Sequence, residues 1–225
     1  MGKKPGVDID PIMEDDQKMY IDEPLHSYLD DLATAQPTPG GGSTAALSGA
    51  MGAALASMVC RITIGKETYA DVQQEIEELL RKTEYLRSRF QQLMQEDIEA
   101  YGHLSASYKL PRATSEERKY RTDMIQKQLV EAASVPLEVV KCAAELIQSC
   151  QRIAEVGSVS VVSDVATGAI LASCSGEGAA FMVRINVRSM NNETLVVELE
   201  NRLHTALAII AQGVNQVKNI VEGRA

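Results

Sequence analysis

Two carboxylates in this chain stand where carboxylates are expensive. Asp97 falls on an apolar stripe that runs Phe90, Leu93, Met94, Ile98, Tyr101 and Leu104. Burying such a charge without a partner is costly, so Asp97 is expected to be paired, protonated or turned toward a cavity. Asp164 opens a second apolar run, directly after Gly157-Ser158-Val159-Ser160-Val161-Val162-Ser163. If the two acids face one hollow, they shift each other's affinity for protons and can divide acid and base work. The plainer readings are a core ion pair with an arginine for Asp97 and a helix cap for Asp164. Lys66, beside Gly65, is either a solvated charge or the positive group next to these acids.

A glycine loop is the other chemical candidate: Pro37-Thr38-Pro39-Gly40-Gly41-Gly42-Ser43-Thr44. Prolines stop what precedes, and glycines let backbone approach a neighbour or ligand closely. Ser43 or Thr44 is expected to cap the helix that follows, whose free N–H groups favour an anion. The alternative is a tight helix entry and nothing more. It is not a phosphate-binding loop of the G-x-x-x-x-G-K-[ST] kind, because no lysine precedes Ser43, and no strand precedes it as a dinucleotide fingerprint requires. His26, His103 and His204 are scattered without ligand spacing, so no metal site is expected. Cys60, Cys142, Cys150 and Cys174 form no C-x-x-C pair and read as buried reduced thiols of a cytoplasmic protein.

The elements that must position these groups are helical throughout. Residues 45–59 are almost wholly Ala, Gly, Ser and Met. A helix this small on every face belongs in the middle of a bundle or in a membrane. Arg61 and the low Leu/Ile/Phe density argue against a membrane span over 43–64. Residues 1–23 read as a flexible arm, and 24–225 as one helical domain. Pro24 opens a short helix. A long helix is expected over 70–108, and another from Thr114 toward Glu155 with a kink or one-turn interruption at Pro136. Residues 165–190 read as a buried helix loosened at Gly176-Glu177-Gly178, and 192–221 as an amphipathic one. The fold class is therefore all-α, a helical bundle around a buried Ala/Gly-rich central helix. The net charge of −9 disfavours nonspecific binding to nucleic acid or anionic lipid, while leaving a small anionic ligand open.

Five stretches, in this order and spacing, resemble the cyclodeaminase/cyclohydrolase family of folate enzymes. They are Pro37–Thr44 with its Ala/Gly helix, Thr63-Ile64-Gly65-Lys66-Glu67-Thr68-Tyr69, Glu96–Tyr101, Ser163–Ala169, and Gly178–Asn186. The resemblance implies an all-helical homodimer acting on a tetrahydrofolate derivative, with no tightly bound cofactor and with a separate formiminotransferase as a conceivable partner. It points to Asp97, Asp164 and Lys66 as catalytic residues. Gly40, Gly41, Gly42, Ser43, Tyr101, Ser163 and Asn186 would hold substrate. Ser158, Ser160 and Met182 depart from the family, standing where it often carries asparagines.

The expected reaction is either water addition to 5,10-methenyltetrahydrofolate, giving 10-formyltetrahydrofolate, or closure of the same ring from a formimidoyl group with release of ammonia. One of Asp97 and Asp164 would hold the amidinium-like cation and take the water's proton, and Lys66 would stabilise the developing oxygen charge. The competing reading is a helical dimer that binds folate, or merely scaffolds, without catalysis.

Overall fold

The computed structural model describes residues 19–224, and the first eighteen positions, where most of the expected arm falls, lie outside them. Tyr20–Asp22 already forms a 3-10 turn, with the Tyr20 ring edge-on against Tyr28 at 5.4 Å. Six α-helices follow among the described residues: α1 (Leu25–Leu32), α2 (Gly41–Thr63), α3 (Gln73–Tyr108), α4 (Ser115–Val156), α5 (Val162–Val187) and α6 (Glu193–Arg224). No strand occurs among them, so the all-α expectation holds.

The core is organised by the two helices with the smallest side chains. α2 packs on α3 and α5, α5 on α4 and α6, and α4 also on α3. α2 and α5 run antiparallel: Gly41 lies beside Met182, Ala45 beside Gly178, and Gly52 beside Gly168. At the Gly52–Gly168 crossing, a Cβ on either residue would press on the other's backbone. Both backbones can approach only because neither residue has a side chain. Around this pair the large side chains Phe90, Leu86, Leu146, Ile147 and Ile153 are fully buried. Both α2 and α5 are long and apolar enough to cross a bilayer, but here they form the centre of the bundle.

Local signals set the helix ends, with corrections to the expected ones. Gly40, not Ser43 or Thr44, is the N-cap of α2. The Ser43 hydroxyl instead reaches back, accepting from the Gly40 N–H at 3.1 Å. Gly65 follows the end of α2 with φ +77°, the left-handed stop that glycine supplies. Thr114 caps α4, its hydroxyl accepting from the Glu117 N–H while Glu117 accepts from the Thr114 N–H. α5 is unbroken across Gly176-Glu177-Gly178. α4 is also unbroken through Pro136. The proline ring deprives the Ala132 carbonyl of its helical donor, and Asn186 Nδ2 of α5 supplies one instead, at 2.7 Å.

Candidate active site

The site is built at the end of the bundle where α2 begins and α5 finishes. A cavity of about 300 Å³ opens there. Its walls are the Pro37–Gly42 loop, Asp97 and Tyr101 of α3, Leu129 and Ala132 of α4, and Met182, Ile185 and Asn186 of α5. Five expected site residues besides Asp97 therefore come together: Gly40, Gly41, Gly42, Tyr101 and Asn186.

Asp97 is placed by the helical period of α3. The turns that bury Phe90, Leu93 and Met94 carry residue 97 onto the same side, against the first turn of α2. Gly42 is its immediate neighbour, and a Cβ there would occupy the space of the Asp97 carboxylate. The third glycine of the loop is thus a steric requirement of the acid. Burial pushes the Asp97 carboxyl up to about 6, an effect partly offset by the Ser43 backbone N–H beside it. No arginine or lysine among the described residues pairs with it, so the core ion-pair reading does not hold there. The result is a carboxyl group poised near neutrality, at a cavity wall and beside the N-terminus of a 23-residue helix.

Asn186 and Ser43 take part differently from the expectation. Both observed hydrogen bonds of the Asn186 amide nitrogen go to backbone, to Ala132 and Met182 carbonyls. Its carbonyl oxygen keeps no protein donor among the described residues and remains available on a cavity wall. The Ser43 hydroxyl is buried and contacts the Tyr28 hydroxyl at 3.1 Å, so only its backbone is near the acid. Met182, a departure from the family, walls the site with its Cε beside Gly41, and sequence reasoning did not name it among the lining residues. Tyr108, Leu104 and Ile185 were also missed as lining residues, although the α3 stripe reaching Leu104 pointed there.

Lys66, Ser163 and Asp164 are not in this cavity. The antiparallel packing of α2 and α5 puts them toward the opposite end, Lys66 beyond the 23 residues of α2, about 33 Å long, and Asp164 about 27 Å from Met182 along α5. There the Lys66 ammonium donates to Ser158 Oγ at 2.8 Å, and Ser158 N–H donates to Thr63 Oγ1 at 2.9 Å. Ser158 and Ser160 share a hydrogen bond of 3.0 Å, and Val159 N–H donates to the Tyr69 hydroxyl. That last bond holds the Tyr69 phenol below its ordinary value. Asp164 sits in the first turn of α5, where a carboxylate complements the helix dipole. The expectation of one hollow shared by Asp97 and Asp164 therefore fails within a single chain. Cys174 is likewise exposed rather than buried, while burial pushes the Cys60, Cys142 and Cys150 thiols up to about 12.

An all-helical domain whose paired Ala/Gly helices end in a glycine-lined cavity with one unpaired acid defines a narrow class. The profile of the family described as formiminotransferase-cyclodeaminase matches residues 24–205. The chain is 37% identical over 190 residues to the methenyltetrahydrofolate cyclohydrolase of Methylorubrum extorquens, covering 84% of this chain and 91% of that one. It is 29% identical over 191 residues to the formimidoyltransferase-cyclodeaminase of Rattus norvegicus, covering 85% of this chain but only 35% of the relative. The crystal structure of formiminotetrahydrofolate cyclodeaminase from Thermotoga maritima superposes with a TM-score of 0.82 at 30% identity, over 90% of this chain and 98% of that one. This chain belongs to the formiminotransferase-cyclodeaminase family.

Proposed function

We propose that the protein is a tetrahydrofolate one-carbon enzyme that hydrolyses 5,10-methenyltetrahydrofolate to 10-formyltetrahydrofolate, with Asp97 as its reacting carboxylate. The observation that carries this reading is an unpaired acid, raised to about 6, on the wall of a cavity lined by glycine backbone. The methenyl carbon sits between two nitrogens in a delocalised cation, which an adjacent carboxylate attracts. Asp97 takes a proton from the attacking water as the C–O bond forms. The same acid then returns that proton to the ring nitrogen as its bond to carbon breaks, and the remaining hydroxyl proton leaves to solvent as the formyl C=O forms. The Asn186 carbonyl oxygen and the loop backbone orient the heterocycle, and no cofactor beyond the folate substrate enters. The match to a cyclohydrolase along nearly its whole length supports water addition. The cyclodeaminase reaction uses the same groups, with Asp97 protonating the departing amine. Loss of the methenyl absorbance with and without protein tests the first reaction, and ammonia release from formiminotetrahydrofolate tests the second. Folate binding without either turnover would instead favour a non-catalytic role.

The reading extends to a homodimer. The outward flank of the α2/α5 pair carries no charged residue of α2 between Gly41 and Cys60, and it leaves Met51 at 45% and Ile170 at 42% exposed. A second copy is the natural cover for a flat apolar face made by two core helices. This face links the cavity end to the Lys66–Asp164 end. If the copies pack antiparallel across it, the partner's far end meets the cavity, and Asp164 and Lys66 rejoin Asp97. In that arrangement, Asp97→Asn and Asp164→Asn chains, each inactive alone, regain turnover when mixed. In a single-chain site, Asp164→Asn by itself keeps turnover within about three-fold. The rat relative is far longer than this chain, so a formiminotransferase supplied as a separate protein is the remaining partner proposal.

A further inference from the structure

The arginines of this acidic chain are mostly committed to carboxylates or backbone carbonyls, as Arg89 is to Glu96 and Arg152 to Glu75. Arg184 and Arg188 are the exception that converges. Neither has a carboxylate or carbonyl partner among the described residues, and both line one cleft of about 390 Å³ between α5 and α6. His204 and Asn201 add donors to that cleft, and Glu200 is its single acid. Two guanidinium groups against one carboxylate leave an excess of positive charge on a protein with net charge −9.

The position of the cleft gives this charge a use. Met182, Ile185 and Asn186 wall the Asp97 cavity, while Arg184 and Arg188 lie on the adjoining flank of the same two turns of α5. The openings are thus separated by about the width of one helix, ~10 Å. Between them stand Ile185 and Phe181, 63% and 64% exposed, an apolar saddle. A folate has a matching order of groups. Its reacting heterocycle is joined through a flat aminobenzoyl ring to a glutamate that carries two carboxylates.

We propose that the Arg184–Arg188 cleft is the subsite for the glutamyl carboxylates of the folate substrate, with the aminobenzoyl ring lying across Ile185. This rests on the folate reading of the Asp97 cavity. The guanidinium forks suit carboxylates geometrically as well as by charge. The subsite acts on binding and not on the chemical step, so it sets KM and leaves kcat nearly alone.

The test compares 5,10-methenyltetrahydrofolate with 5,10-methenyltetrahydropteroate, which has the same reacting group and no glutamate. The Arg184→Gln/Arg188→Gln double variant is expected to raise KM for the glutamylated compound on the order of ten-fold or more, with kcat within about two-fold. KM for the pteroate compound should stay put, and added salt should raise KM for the glutamylated compound alone. Arg188→Lys should keep part of the affinity, and Arg81→Gln, on the distant stretch of α3, should change nothing. Equal losses on both compounds, no change on either, or dissociation of the assembly by sedimentation would overturn the subsite. Turnover of the two compounds by the unaltered protein with equal KM would overturn it while leaving the folate reading intact. Turnover of neither would overturn both.

Discussion

The two ends of the α2/α5 pair are built from similar residue types and do opposite things with them. At the far end, Lys66, Ser158, Ser160, Thr63 and Tyr69 satisfy one another through short hydrogen bonds. Arg224 adds donors to the Ala154 and Gly157 carbonyls, closing the network. At the near end, among the described residues, Asp97 has no cationic partner and the Asn186 carbonyl oxygen no donor, and a cavity separates the walls. A satisfied polar network stabilises a helix junction, whereas an unsatisfied acid at an opening is held at an energetic cost. On the proposed function the near end is the place of chemistry, while within one chain the far end is a closed polar network.

The sharpest way to break this contrast is to remove the acid. Asp97→Asn should lower methenyltetrahydrofolate turnover by at least about a hundred-fold, the usual weight of a general base. The unaltered protein's rate should fall as pH drops through about 6, because protonated Asp97 cannot accept the water's proton. The same substitution should stabilise the fold. The folded carboxyl holds its proton up to about 6 against an ordinary 3.8, so its ionised form opposes folding above that range. Asp97→Asn should therefore raise stability by about 1–3 kcal/mol at pH 8, a gain that disappears as pH falls toward 4. Urea unfolding at both pH values measures it. A loss of activity with a gain of stability is the pattern that a structural acid would not produce.

Gly42→Ala comes next. A Cβ in the space of the Asp97 carboxylate should cost about 1–3 kcal/mol and reduce kcat at least about ten-fold. Gly102→Ala on α3, where the added Cβ meets nothing within 4 Å, should leave kcat nearly unchanged and raise stability by about 0.5–1 kcal/mol. Asn186→Asp should cost about 1–3 kcal/mol by thermal unfolding, because it loses the donor to the Ala132 and Met182 carbonyls and sets a carboxylate oxygen against them. At the far end, Ser158→Ala removes the Lys66 and Ser160 partners and should cost less, about 1 kcal/mol of stability.

Helix identity and much of the site were legible in the residues themselves. The spacing from Phe90 to Leu104 put Asp97 on a buried face, and the Pro/Gly/Ser run marked a helix entry. Hydrophobic period and end signals are local properties, which is why they survive without a structure. Two local expectations failed for tertiary reasons. Pro136 does not interrupt α4, because a neighbouring helix supplies the missing donor. Ser43 does not cap α2, because Tyr28 packs onto its hydroxyl and Gly40 ends the loop.

By itself, the sequence determined which segments coil, which faces are apolar, and that an acid would be stranded on one of them. Only tertiary structure decided which chemical groups meet. The direction in which α5 runs beside α2 brings Asn186 and Met182 to the glycine loop and carries Asp164, 18 residues back along α5, about 27 Å from Met182. No periodicity encodes that choice, because it depends on the close approach of two distant glycines, Gly52 and Gly168, that only the folded chain brings together.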